Sequence, residues 1–207
     1  MVKFFLVLAA LALVVASPIG KRTVPQVEAD LRNIATQVTT LDNSIKAFPN
    51  TGGTLVQALA IHTSAANLVP TIKSATTDIQ VHFFFNLLLL TDTETDDNIG
   101  FFFPLQGTTG ITEADGQTVL AIVNGIEPII IDALNLIITK KAAFDALPLG
   151  GVSALVKQDL AQLAPAAQAL EVALINLLPA DLKAQATAIQ IVVNGACGNA
   201  QAAYASA

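Results

Sequence analysis

Few side chains in this sequence are suited to catalysis or metal binding. There are two histidines, His62 and His82, one cysteine, Cys197, and a thin scatter of acids. A zinc site needs three or four His, Cys or carboxylate ligands at close spacing, and His62 has no such company along the chain. A serine hydrolase of the common α/β type would show a Gly-x-Ser-x-Gly turn, and none occurs. Gly52-Gly53 and Gly150-Gly151 lack the strand before and the Lys-Ser/Thr after that a phosphate loop requires; they read as helix stops. Glu28, Asp30, Glu113, Asp115, Glu127 and Asp159 are spread over helix surfaces, where a solvated face is their ordinary role. His62 reads as a packed, hydrogen-bonded histidine on the inner side of a helix. Cys197, among Ala and Gly, reads as a small core residue, and a lone thiol supplies no internal disulfide framework. The chain is therefore expected not to be an enzyme and to carry no cofactor and no metal.

The elements that would position these groups are helical. Val24, Val27, Leu31, Ile34, Val38, Leu41, Ile45 and Phe48 step by three and four, which places them on one stripe of a long amphipathic helix over Thr23 to Ala47. Asp30, Arg32, Asp42 and Lys46 fall off that stripe, and Pro49-Asn50-Thr51-Gly52-Gly53 stops it. A second helix is predicted from about Thr54 to Ile79, with Leu55, Leu59, His62, Ala66, Val69, Ile72 and Ile79 near one face and a bend at Pro70. Thr112 followed by Asp115 is a helix start, and the helix continues to about Lys141, interrupted by Pro128. Lys140 and Lys141 suit the negative end of its dipole. A fourth helix is predicted from about Val152 to Leu178, with Val156, Leu160, Leu163, Leu170, Leu174 and Leu177 inward and a bend at Pro165. Pro179-Ala180-Asp181 supplies a break and an N-cap for a last, Ala-rich helix over about Leu182 to Tyr204. The fold class is all-α, an antiparallel bundle of about five amphipathic helices, several of them Pro-kinked. Kinked helices pack imperfectly and leave room for a long apolar ligand.

One segment departs from this pattern. Val81 to Gln106 holds six of the ten phenylalanines and shows no helical stripe; its two apolar clusters flank an acidic run. The codons it permits fit a short intron: a GT start at Val81, a branch-point-like string at Leu90-Thr91, a pyrimidine tract over Phe101-Phe102-Phe103-Pro104, and a CAG end at Gln106. Its 26 residues correspond to 78 nucleotides, in frame. A translated intron is the expectation, and an apolar loop that dips its Phe clusters into a membrane is the alternative.

The N-terminus has the form of a secretory signal. Lys3 precedes an apolar run from Phe4 to Val15, too short to span a bilayer, and Val14 and Ala16 suit a cut after Ala16. Residues 17–22 then read as a short propeptide ending in the dibasic pair Lys21-Arg22, with Thr23 as the mature start; two solvated charges are the plainer alternative. The domain spans 23–207. Without residues 1–22 and 81–106 the chain keeps 159 residues and a net charge of −5. With no basic run to neutralise phosphates, nucleic acid is excluded as a partner. An integral membrane protein is not expected. No Asn-x-Ser/Thr sequon occurs, and no long Ser/Thr-rich stalk or hydrophobic tail follows Tyr204, so a lipid-anchored wall form is not expected either.

Several stretches together carry a resemblance: TVPQVEAD over Thr23–Asp30, LVQALAIHTSAANL over Leu55–Leu68, ITEADG over Ile111–Gly116, Ile126-Glu127-Pro128, and FDALPLGGVSALVKQDL over Phe144–Leu160. With the signal and the dibasic site, they resemble the fungal hydrophobic surface-binding protein A family, also called the cell-wall galactomannoprotein family. The resemblance runs from Thr23 to the end and lapses over Val81 to Gln106. It implies a secreted all-α domain that adsorbs to hydrophobic surfaces, can recruit polymer-degrading hydrolases there, and has relatives that bind fatty acids in an interior cavity. It transfers no ligand motif residue by residue.

The expected function is thus non-catalytic binding of hydrophobic surfaces or fatty-acyl lipids by an extracellular or cell-wall protein, with secreted hydrolases as further partners. A structural wall mannoprotein or antigen without a specific ligand is the alternative. The expected cavity residues, taken from the inward stripes, are Leu41, Ile45, Leu59, His62, Val69, Val123, Ile130, Leu170 and Leu174.

Overall fold

The computed structural model describes residues 23–90, 111–148 and 151–207, with side chains described only to Val81 in the first stretch. Five helices account for nearly all of these residues: α1 (Val24–Ala47), α2 (Leu55–Leu90), α3 (Glu113–Asp145), α4 (Val152–Leu177) and α5 (Lys183–Ala203). The fold is all-α, and the described residues contain no strand.

The start of α1 places Pro25 in its first turn, where the missing N–H costs nothing. Its apolar stripe is buried from Val27 through Ile45, as the spacing predicts, and Phe48 closes it. Asp42, expected off the stripe, is also buried; Lys46 one turn on reaches it at 2.7 Å and bridges to Asp132 of α3 at the same distance. Helix α2 runs past Ile79 to Leu90, longer than expected, because no Gly or Pro lies between Pro70 and Gly100 to stop it. Its buried stripe is Ala58, Ile61, Ala65, Leu68, Ile72, Ala75 and Ile79. Helix α3 begins as predicted: the Thr112 hydroxyl accepts from the Asp115 amide at 3.2 Å. The start of α5 differs from expectation. Leu182 is its N-cap and no side chain caps it, while the Asp181 carboxyl is hydrogen-bonded to Glu113, whose carboxyl it pushes up.

Each helix packs mainly against two others. In order around the bundle they run α1, α2, α4, α5, α3 and back to α1, with only a minor contact from α3 to α4. This is a closed ring of five staves. One end, where α3 finishes, is pinned by buried polar contacts. Near the α1–α2 turn, Lys140 of α3 is buried and donates to the Phe48 carbonyl and to Asn50 Oδ1. The Phe48 ring lies against Phe144, centroids 4.6 Å apart, and a Cβ on Gly53 would sit 2.4 Å from Phe48 Cζ, so only glycine fits that turn. At the C-terminus the buried Tyr204 hydroxyl donates to the Ile137 carbonyl at 2.8 Å. Ser153 donates to Asp145 across the α3–α4 connection.

Pro70, Pro128 and Pro165 lie inside α2, α3 and α4, on exposed faces, and the helices continue through them. By length and composition, α2 over Leu55–Val81, α3 and α4 are apolar enough to cross a membrane. In the bundle only about a third of the most apolar stretch of α2 and of α4, and less of that of α3, is buried.

Candidate functional site

A ring of five helices does not close on its own axis as tightly as four do, and side chains must fill the middle. Here they fill it incompletely. A cavity of about 160 Å³ lies at the centre, walled by all five helices. From α1 come Leu31, Ile34, Val38 and Leu41; from α2, Leu68 and Ile72. Helix α3 contributes Val123, Ile126, Glu127, Ile130, Ala133 and Leu134. Helix α4 contributes Leu160, Leu163, Ala164, Ala167, Leu170 and Glu171, and α5 contributes Ile189, Val193, Cys197 and Gln201. The wall is almost wholly aliphatic. Alanines at 133, 164 and 167 leave space where larger residues would fill it.

Four polar or polarisable groups interrupt this wall, and all belong to α3, α4 and α5. Glu171 accepts a hydrogen bond from Asn194 Nδ2 at 3.1 Å. Burial pushes its carboxyl up to about 7, against the lowering effect of hydrogen bonds from Asn194 and Gln190. Burial and the nearby Glu171 push the Cys197 thiol up, so it is an inert, half-buried group rather than a nucleophile. Glu127 is half-buried and Gln201 is exposed.

Of the nine residues expected at a cavity, Leu41, Val123, Ile130 and Leu170 line it. Ile45, Val69 and Leu174 are buried but pack between helices away from it. Leu59 is a correction: it is 41% exposed, because the inner face of α2 is set by Ala58, Ile61 and Ala65, one position round from the stripe read through the larger residues. Ala66 of the same stripe is exposed for the same reason. His62 is also displaced from the interior. It sits half-exposed at the α2–α4 seam, with Nδ1 2.9 Å from both carboxylate oxygens of Asp159. Asp159 is buried, contrary to the solvated role expected of it, and desolvation pushes its carboxyl up while His62 opposes the shift. This pair joins two helices and lines no part of the cavity. Among the described residues no group of three or more His, Cys, Asp or Glu is placed to hold a metal.

Sequence reasoning passed over the small and polar wall residues. Leu31, Ile34, Val38, Ile72, Leu160 and Leu163 stood on the predicted stripes. Ala133, Ala164, Ala167 and Glu171 carried no signal beyond helical position, since an alanine marks a gap only once its neighbours are placed.

Comparison with known proteins gives the same architecture. AfMp4p, solved in complex with palmitic acid, is 25% identical, with a TM-score of 0.68 over 88% of this chain and 99% of that one. Ligand binding domain 1 of the Penicillium marneffei MP1 protein, complexed with arachidonic acids, is 17% identical, with a TM-score of 0.66 and coverage of 88% and 99%. Domain 2 of that protein, also with arachidonic acids, is 13% identical, with a TM-score of 0.64 and coverage of 86% and 91%. These last two likenesses show the fold alone. No curated protein matched the chain in sequence. The family model for hydrophobic surface binding protein A matches residues 24–82 and 104–176, leaving out most of the segment that departs from the helical pattern. The chain belongs to the hydrophobic surface binding protein A family.

Proposed function

We propose that this protein is a secreted, non-catalytic binder of fatty-acyl lipids and hydrophobic surfaces that holds an apolar chain at the centre of its helical ring. The observation that carries the reading is the aliphatic cavity to which every helix contributes. Each methylene moved from water into such a wall gains about 0.8 kcal/mol, so affinity accumulates along an acyl chain without a charged partner. The structural likeness to AfMp4p, whose complex holds palmitic acid, supports the same ligand class. At about 160 Å³ the cavity is smaller than the roughly 300–1,000 Å³ of ordinary ligand pockets. A long chain therefore spreads the helices or leaves part of itself outside. Leu41, Val123, Ile130 and Leu170 are the proposed contacts that periodicity also indicates. Adsorption to a solid surface would use the same apolar stripes, and the hydrolase partners that the resemblance implies would meet the protein there.

The mature chain starts at Thr23 in this reading, and residues 81–106 are a translated intron rather than part of the binding domain. The gap in the family match over 83–103 supports that. Sequencing the transcript tests it: a secreted product whose message keeps the 78 nucleotides would refute the intron. The function is tested by solvent extraction of the purified protein, lipid mass spectrometry, and displacement of a neutral fluorescent probe by fatty acids. A protein that carries no lipid and displaces no probe is not the binder described here.

A further inference from the structure

The wall of the cavity bears on the charge of what it takes. Among the described residues it contains no Lys, Arg or His. Its two ionisable carboxyls, Glu127 on α3 and Glu171 on α4, are both acids. A carboxylate brought into this space would lose its water, find no cation, and approach groups of its own sign; an unpaired buried charge is costly, and like charges that share a site cannot both stay ionised. We propose that the cavity selects long-chain ligands whose polar end is uncharged, such as alcohols, esters or a fatty acid in its protonated form, and that Glu171 is the residue that discriminates against the anion.

The groups facing Glu171 are few. From α5 they are Asn194, which donates to it at 3.1 Å, Gln190, and the Cys197 thiol. From α3 the cavity receives Glu127, and from α1 and α2 only aliphatic side chains. His62 and Asp159 pair with each other farther along α4 and line no part of the wall. Below neutral pH the Glu171 carboxyl takes up a proton and becomes a donor to a ligand oxygen. Above it the carboxylate repels an anionic head while leaving a hydroxyl head unaffected. The inference rests on the cavity being the lipid site, and the experiment separates the two ideas.

Dodecanol and dodecanoic acid, below their aggregation limits, are titrated against bound N-phenyl-1-naphthylamine at pH 5 and pH 8. The expected result at pH 8 is that dodecanol binds at least tenfold more tightly than the acid, with the difference under threefold at pH 5. Glu171→Gln is expected to narrow the pH 8 difference at least threefold, with helical circular dichroism and a cooperative melt as the check that it is folded. Asn194→Leu removes the donor that favours the charged form, so the pH at which the difference opens moves upward. Equal or tighter binding of the acid at pH 8, or a pH 8 difference that neither variant alters, overturns the proposal. Displacement by neither ligand at either pH instead overturns the lipid-binding reading beneath it.

Discussion

Ala167→Leu tests whether the central space is a ligand site or a packing defect. Ala167 projects from α4 into the cavity wall, and leucine adds three carbons there. A residual enclosed void destabilises a core by about 24 cal/mol per Å³, so about 4 kcal/mol is the upper bound on the penalty of this 160 Å³ space, which is partly open. Burying three more carbons recovers at most about 2.4 kcal/mol at 0.8 per carbon. Imperfect rotamers return part of that gain, since overpacking costs about 1–3 kcal/mol where the fit is poor. A net gain of about 1 kcal/mol raises the melting temperature by about 2–4 °C in a chain of this size. The same three carbons exclude about three methylenes of ligand. That loses about 2.4 kcal/mol, or about fifty-fold in affinity. Calorimetry on delipidated protein and probe displacement by palmitic acid measure the two effects. The reasoning predicts that they move in opposite directions. A variant that melts lower and binds lipid as before would refute it, because the leucine would then have met a filled wall and the ligand would lie elsewhere.

Three other outcomes follow from particular contacts. The Glu171 carboxyl is raised in the folded state to about 7 from an ordinary 4.5, so the stability it contributes is fully present below about pH 4.5 and is lost as the pH rises through 7. The melting temperature of Glu171→Gln minus that of the natural protein should therefore grow between pH 4.5 and pH 8; a constant difference would show that the carboxyl is not buried as described. Gly53→Ala drives a methyl into the ring of Phe48, which Phe144 backs, and should lower stability by about 1–3 kcal/mol in a denaturant titration. Tyr204→Phe removes the hydroxyl bonded to the Ile137 carbonyl and should cost about 1 kcal/mol without changing lipid affinity.

The sequence carries the helices well and the wall of the cavity poorly, for a physical reason. Helix positions follow from period and punctuation, which are local: the α1 stripe from Val27 to Ile45, the Thr112 cap and the Gly-rich stops all act within a turn or two of chain. Where stripes are built from large residues, as in α1 and α4, the large inward residues are legible, and the small and polar ones beside them, Asp42, Ser153, Asp159, Ala166 and Ala173, are not. In α2 the inward face is half alanine, and reading through Leu59 and Ala66 rotated it by one position. Which inward residues face a void and which interlock depends on the cyclic order of the helices. That order is a non-local fact, since α2 neighbours α4 rather than α3. For the same reason Asp159 reads as solvated and Asp42 as lying off the stripe. Their burial is made tolerable by His62 and Lys46, one on another helix and the other a turn away.

The three interior prolines sit at a telling height. Pro70 is flanked by Leu68 and Ile72, Pro128 by Glu127 and Ile130, and Pro165 by Ala164 and Ala167, all of which line the cavity while the prolines themselves are exposed. Each proline withholds a hydrogen from the carbonyl four residues back, at Ala66, Asn124 and Ala161, and these are exposed residues on the outer face of the bundle. Three of the five walls thus have a compliant joint on their outer skin at the level of the void. Bowing there breaks no helix hydrogen bond that the proline has not already removed. The bundle can swell around a guest at its waist while the end tied through Lys140, Asp145 and Ile137 stays shut.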